Sequence, residues 1–98
     1  LYCSGQIALD KNGTLNNHNI SDEINQIFEN LNAILKQVNM DFSNVVKSTI
    51  FLKNMNDFNT VNEIYGKIFD TNPPARETVE VSRLPKDVNI EISIIACK

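Results

Sequence analysis

No cluster of basic residues occurs in this 98-residue chain, whose formal net charge is −3 with a sequence pI near 5.0. Nucleic-acid binders draw most of their affinity from Lys and Arg on phosphates, so this balance argues against a dedicated RNA or DNA partner. No apolar run approaches the roughly 20 residues that a membrane-spanning helix needs. No signal-peptide pattern is visible. Leu1 is not a methionine and stands inside what reads as a strand, so further residues are expected before it. The cytoplasm is the expected compartment, with organelle targeting left open by that expected N-terminal segment. His18 is the only histidine, and the two cysteines, Cys3 and Cys97, stand at opposite ends. Neither a CxxC pair nor a Cys/His zinc pattern exists. His18 falls in a polar loop and reads as a solvated surface residue. Both cysteines fall in predicted strands and read as buried free thiols; a disulfide would require the terminal strands to pair. Asparagine is abundant, as in Asn16, Asn17 and Asn19, with no chemistry attached.

What the chain does contain is 42% hydrophobic and 21% charged residues, enough for one globular domain with a modest core. Leu1 to Ala8 reads as a strand, closed by a turn at Asn12-Gly13. Ser21 is the expected cap of a first helix, with Asp22 and Glu23 favouring the positive end of its dipole. Ile24, Ile27, Phe28, Leu31, Ile34, Leu35 and Val38 follow helical spacing and form its core stripe. Val45 to Lys53 is β-branched and reads as a strand, with Val46, Ser48, Ile50 and Leu52 on one face and Lys47, Thr49 and Phe51 on the other. Asn56 or Asp57 is expected to cap a second helix with the stripe Phe58, Val61, Ile64, Tyr65, Ile68 and Phe69. Gly66 weakens that helix by about 1 kcal/mol relative to Ala, which suggests a close contact there. Pro73 and Pro74 stop it.

After the prolines come a strand, "RETVEVSRL", a turn at Pro85-Lys86-Asp87, and a last strand, "VNIEISIIA". In that last strand Val88, Ile90, Ile92 and Ile94 alternate with Asn89, Glu91, Ser93 and Ile95. Four strands and two helices predict a two-layer α+β sandwich with both helices on one face of the sheet. The other face is half apolar, and self-association is the expected way to cover it.

Two residues stand out chemically. Arg76 follows Pro73-Pro74-Ala75, whose rings fix the backbone and aim the side chain. A planar guanidinium grips a carboxylate by two parallel hydrogen bonds. Glu91 stands mid-strand between Ile90 and Ile92. On the residues alone, the ordinary reading is a surface ion-pair partner and a polar-face carboxylate.

"SGQIALD" (4–10), "VVKSTIFLKNMNDFNTVNEIY" (45–65), "PPAR" (73–76) and "VEVSRLPKDVNIEISIIA" (79–96) together resemble the Rid family, the reactive-intermediate deaminases also known as the YjgF or L-PSP family. The resemblance covers nearly the whole chain in order and spacing, and is nearest to the RidA branch. It implies a chorismate-mutase-like two-layer sandwich with a mixed sheet, three copies of which form a homotrimer around a central barrel with clefts between neighbours. It implies one Rid-type domain over residues 1–98, without the family's opening strand. Also missing is the Gly-Pro-Tyr-type segment that supplies a cleft tyrosine, for which Tyr2 is no equivalent.

The activity implied is hydrolysis of 2-imino acids, such as 2-iminobutanoate or 2-iminopropanoate, to 2-oxo acids and ammonia. In that picture Arg76 holds the substrate carboxylate and Glu91 positions and deprotonates water. Ser4, Gly5 and Thr78 line the cleft, Thr78 where many relatives carry a cysteine. No metal or organic cofactor is implied, because an imine is already electrophilic. Glu77, unusual after the arginine, is expected to point away from Arg76 by strand alternation. The alternatives carried by the same resemblance are an L-PSP-type endoribonuclease or translation inhibitor, and a non-catalytic ligand-binding trimer.

Overall fold

A computed structural model describes residues 1–98. The polar loop after the first strand is organised by Asp10, whose Oδ1 accepts from the backbone N–H groups of Asn12 and Thr14. Gly13 takes a φ of 78°, the left-handed conformation expected of the Asn-Gly turn. Strand β1 (Tyr2–Gln6) precedes this loop and helix α1 (Ile20–Gln37) follows it. Asn19, not Ser21, caps α1: its backbone is extended and its side chain accepts from the Asp22 N–H at 2.8 Å. Ser21 therefore lies within the first turn. At the other end Val38 leaves helical geometry and is exposed, so the core stripe stops at Leu35.

Strand β2 (Val45–Leu52), helix α2 (Phe58–Ile68), strand β3 (Ala75–Glu80) and strand β4 (Ile90–Ala96) complete the chain. Asp57 occupies the capping position of α2 but makes no side-chain cap, while Asn54 caps the short 3₁₀ turn before it. β3 ends at Glu80, earlier than the sequence suggested, and residues 81–84 run on as a loop. The turn that follows holds Lys86 and Asp87 at φ 57° and 54°.

The sheet order is β1-β4-β2-β3. β4 pairs antiparallel with both β1 and β2, whereas β3 runs parallel to β2 at the edge. A parallel neighbour cannot be reached by a tight turn, so α2 serves as the crossover. This is the predicted two-layer α+β sandwich with a mixed sheet. Ile24, Ile27, Leu31 and Leu35 of α1, Val61 and Tyr65 of α2, and Phe69 just past its end pack with Ile50, Leu52, Ile90, Ile92 and Ile94 in one core. At about 25 cal/mol per Å² of apolar surface removed from water, this layer is the main source of stability. Val46 does not join it: the β2/β4 register shifts between Val45 and Lys47, so Val45 is buried and Val46 is half exposed.

Glu23 also departs from expectation. It is fully buried, and its two oxygens accept from the Asn89 N–H and side-chain amide at 2.8 Å and from the Ile90 N–H at 3.2 Å. A buried carboxylate needs such donors. Here they tie α1 to the start of β4. Cys3 is a buried free thiol, and burial pushes its pKa up. Cys97 is free but exposed, beyond the end of β4. The terminal strands do pair, with Cys3 opposite Ile94.

Candidate functional site

The proline corner delivers Arg76 to the edge strand, and the parallel register sets it opposite Ser48. Ser48 belongs to the buried, helix-facing set of β2, so Arg76 faces α2. Its guanidinium carbon lies 4.8 Å from the centroid of the Tyr65 ring and 5.5 Å from that of Phe58. Nη1 donates to Asn62 Oδ1 at 2.6 Å. Arg76 has no carboxylate partner; the ion pairs in the chain are Lys47–Glu77 and Arg83–Asp87. Glu77 therefore does point away from Arg76, toward the opposite face, at 2.6 Å from Lys47 Nζ.

Beside the arginine is an open pocket of about 440 Å³ lined by Asn62, Tyr65, Gly66, Phe69, the two prolines and Arg76. Gly66 makes no close approach: a Cβ there would meet nothing within 4 Å, so the glycine leaves the pocket wall low. Thr78 is set opposite Ile50 and shares the face of Arg76. The hydroxyls of Thr78, Ser48 and Tyr65 are buried without a hydrogen bond of normal geometry. Burial pushes the Tyr65 hydroxyl pKa upward, with the Ser48 hydroxyl and the Arg76 charge pulling it down.

Glu91 stands opposite Phe51, on the face that the helices do not cover. Its side chain lies over Gly5: a Cβ built there would collide with Glu91 Oε2. Without a side chain at residue 5, the Glu91 carboxylate can rest against the β1 backbone. Ser4, the neighbouring residue, is exposed on the same strand, and its carbonyl accepts from Gln6 Nε2.

The predicted site residues thus fall into two groups. Arg76 and Thr78 share the helix-facing side at the β3 edge, while Glu91 and Gly5 meet on the open side. One chain does not bring the guanidinium and the carboxylate together, because β3 and β4 flank β2 and the two residues project from opposite faces. Asn62 is not among the residues that the sequence singles out. Its spacing from Phe58 and Tyr65 was visible, but the strand register that sets Arg76 beside them was not.

This arrangement has close relatives. The model of the family described as Endoribonuclease L-PSP matches residues 1–98. The chain belongs to the endoribonuclease L-PSP family. This is the Rid family that the motifs resemble. Among its members, the human 2-iminobutanoate/2-iminopropanoate deaminase is 46% identical over 98% of this chain and 71% of its own length. The crystal structure of a putative endoribonuclease from Thermotoga maritima superposes with a TM-score of 0.96 at 41% identity, covering 99% of this chain and 77% of that one. That of Escherichia coli TdcF with bound serine gives a TM-score of 0.93 at 36% identity, covering 99% and 79%. The L-PSP fold of this chain is therefore the one its family shares, and no helix in it is long and apolar enough to cross a membrane.

Proposed function

We propose that this L-PSP-family chain hydrolyses small 2-imino acids to 2-oxo acids and ammonia, at sites built between copies of itself. The observation that carries the reading is Arg76. Its guanidinium lies over the Tyr65 ring, bonded only to a neutral amide, and left free to take a carboxylate. Two parallel N–H donors would fix the substrate's planar carboxylate and with it the adjacent C=N bond.

Glu91 takes a proton from water as the oxygen attacks the imine carbon and the imine nitrogen takes up a proton, giving a neutral tetrahedral carbinolamine. The C–N bond then breaks as the nitrogen receives a proton and leaves as ammonia, and the hydroxyl proton is lost to form the 2-oxo acid. Atoms balance with one water consumed, and no redox step is required. Ser4 and Thr78 line the cleft through their hydroxyls, and Gly5 sets the height of the Glu91 carboxylate. Because Arg76 and Glu91 project from opposite faces, the reading needs one copy's arginine to meet another copy's glutamate. A homotrimer with its open sheet faces turned inward supplies that meeting, with residues 1–98 as one domain of each copy in the cytoplasm. The human relative named as a 2-iminobutanoate/2-iminopropanoate deaminase supports the substrate class.

The test couples the protein to a threonine dehydratase and traps the released imine with semicarbazide. Wild-type protein should slow trapping, and Arg76→Ala should lose at least about 30-fold in kcat/KM, the equivalent of roughly 2 kcal/mol of lost charged contact. Arg76→Lys should not rescue it, since a point charge lacks the two-pronged grip. Trapping unaffected by the wild-type protein would overturn the reading. The family description favours a second activity, RNA cleavage. A net charge of −3 weighs against it. Cleavage that survives Arg76→Ala and resists salt would restore it.

A further inference from the structure

Arg76 is received by a single helix. Phe58, Asn62 and Tyr65 stand at i, i+4 and i+7 on α2, which places them along one stripe beside β3. Two of them set aromatic rings beneath the guanidinium carbon, and a ring offers its N–H groups no directional acceptor. The third supplies a directional acceptor: Asn62 Oδ1 takes Nη1–H at 2.6 Å. An amide oxygen carries no charge, so it orients the fork without neutralising it. A guanidinium has five N–H donors, and one such contact leaves the others for a ligand.

We propose that Asn62 is a positioning residue for Arg76, fixing the in-plane rotation of the guanidinium so that its free N–H pair meets the substrate carboxylate. The inference rests on the reading of Arg76 as the carboxylate anchor. Asn62 itself touches no reacting atom. Its neutrality is part of the role. A carboxylate of the same shape would hold the guanidinium as firmly but would occupy it as an ion pair, competing with the substrate. A plain structural tie between α2 and β3 makes the opposite forecast, because an aspartate would strengthen the tie.

The experiment measures 2-oxobutanoate binding by calorimetry, and KM and kcat in the trapping assay, for wild type, Asn62→Asp, Asn62→Ala and Arg76→Ala, with thermal midpoints for each. Asn62→Asp should keep or raise the midpoint while weakening 2-oxobutanoate binding and raising KM by at least about 30-fold, with kcat at saturation nearly unchanged. Asn62→Ala frees the rotation without adding charge, and should raise KM by about 3- to 10-fold. An Asn62→Asp protein that binds like wild type, while Arg76→Ala loses binding, overturns the role of Asn62 alone. Binding that survives Arg76→Ala overturns the anchor reading beneath it.

Discussion

The helix-covered face of the sheet and its open face take alternate residues of the same strands. On β4, Ile90, Ile92 and Ile94 go under the helices, while Glu91, Ser93 and Ile95 remain half-buried on the other side. On β2, Ser48, Ile50 and Leu52 go under, and Thr49 and Phe51 stay out. The covered side is nearly all aliphatic and closes on itself. The open side mixes Phe51 and Ile95 with Thr49, Ser93 and a carboxylate, and nothing in the chain covers it. One face is therefore sufficient to fold a single copy, while the other is suited to meet something else. Chemistry is divided between them: the cation lies at the rim of the covered side and the acid on the open one.

That division can be broken or sharpened by substitution. Glu91→Gln keeps the shape of the open face and removes only the carboxylate charge; if Glu91 is the base proposed above, kcat should fall by about 100- to 10,000-fold in the trapping assay with the melting temperature unchanged. A comparable melting loss instead would mean that Glu91 supports the fold rather than the reaction. One residue further on, Ile92→Ala opens a cavity on the covered face and should cost about 2–5 kcal/mol in denaturant unfolding. Ser93→Ala, back on the open face, should stay within about 0.5 kcal/mol.

Gly5→Ala tests how closely the open face is built. The added methyl must displace the end of the Glu91 side chain, a flexible group that can move, so folding should survive while kcat drops by about 10-fold. Acid sensitivity is the smallest effect. Hydrogen bonds from Ser43 hold the Asp41 carboxyl below its usual range, the Lys47 contact does so for Glu77, and Arg83 does so for Asp87. The folded protein then binds fewer protons than the unfolded chain in the acidic window between the depressed and ordinary carboxylate pKa values. Stability is complete above that window and declines as pH falls through it. All three groups sit on the surface, so the melting curve should shift only slightly, and Glu77→Gln should flatten part of the shift.

Much of this was legible because periodicity records burial. The isoleucine alternation of β4 and the stripe from Ile24 to Leu35 state which side faces the core, and the sandwich follows. Local competition was harder to read. Asn19 and Ser21 are both good caps, and only the backbone conformation decides between them. The bulge beside Val45 reverses the side of Val46 without any mark in composition. Glu23 resembles any acidic residue in a first helical turn until the Asn89 amides close over it. For the site, the motif around Arg76 and Glu91 indicated which residues to watch. Their placement on opposite faces depended on strand order, which alternation within each strand does not contain. Asn62 became meaningful only through the parallel register of β2 and β3.

The crossover helix has a kinetic corollary. Asn62 and Arg76 are separated by 14 residues, so the loop that unites them is short and costs little entropy to close. Gly5 and Glu91 come from nearly opposite ends of the chain and meet only when β1 pairs with β4 across that long separation. The surroundings of Arg76 should thus mature early during folding, and those of Glu91 last.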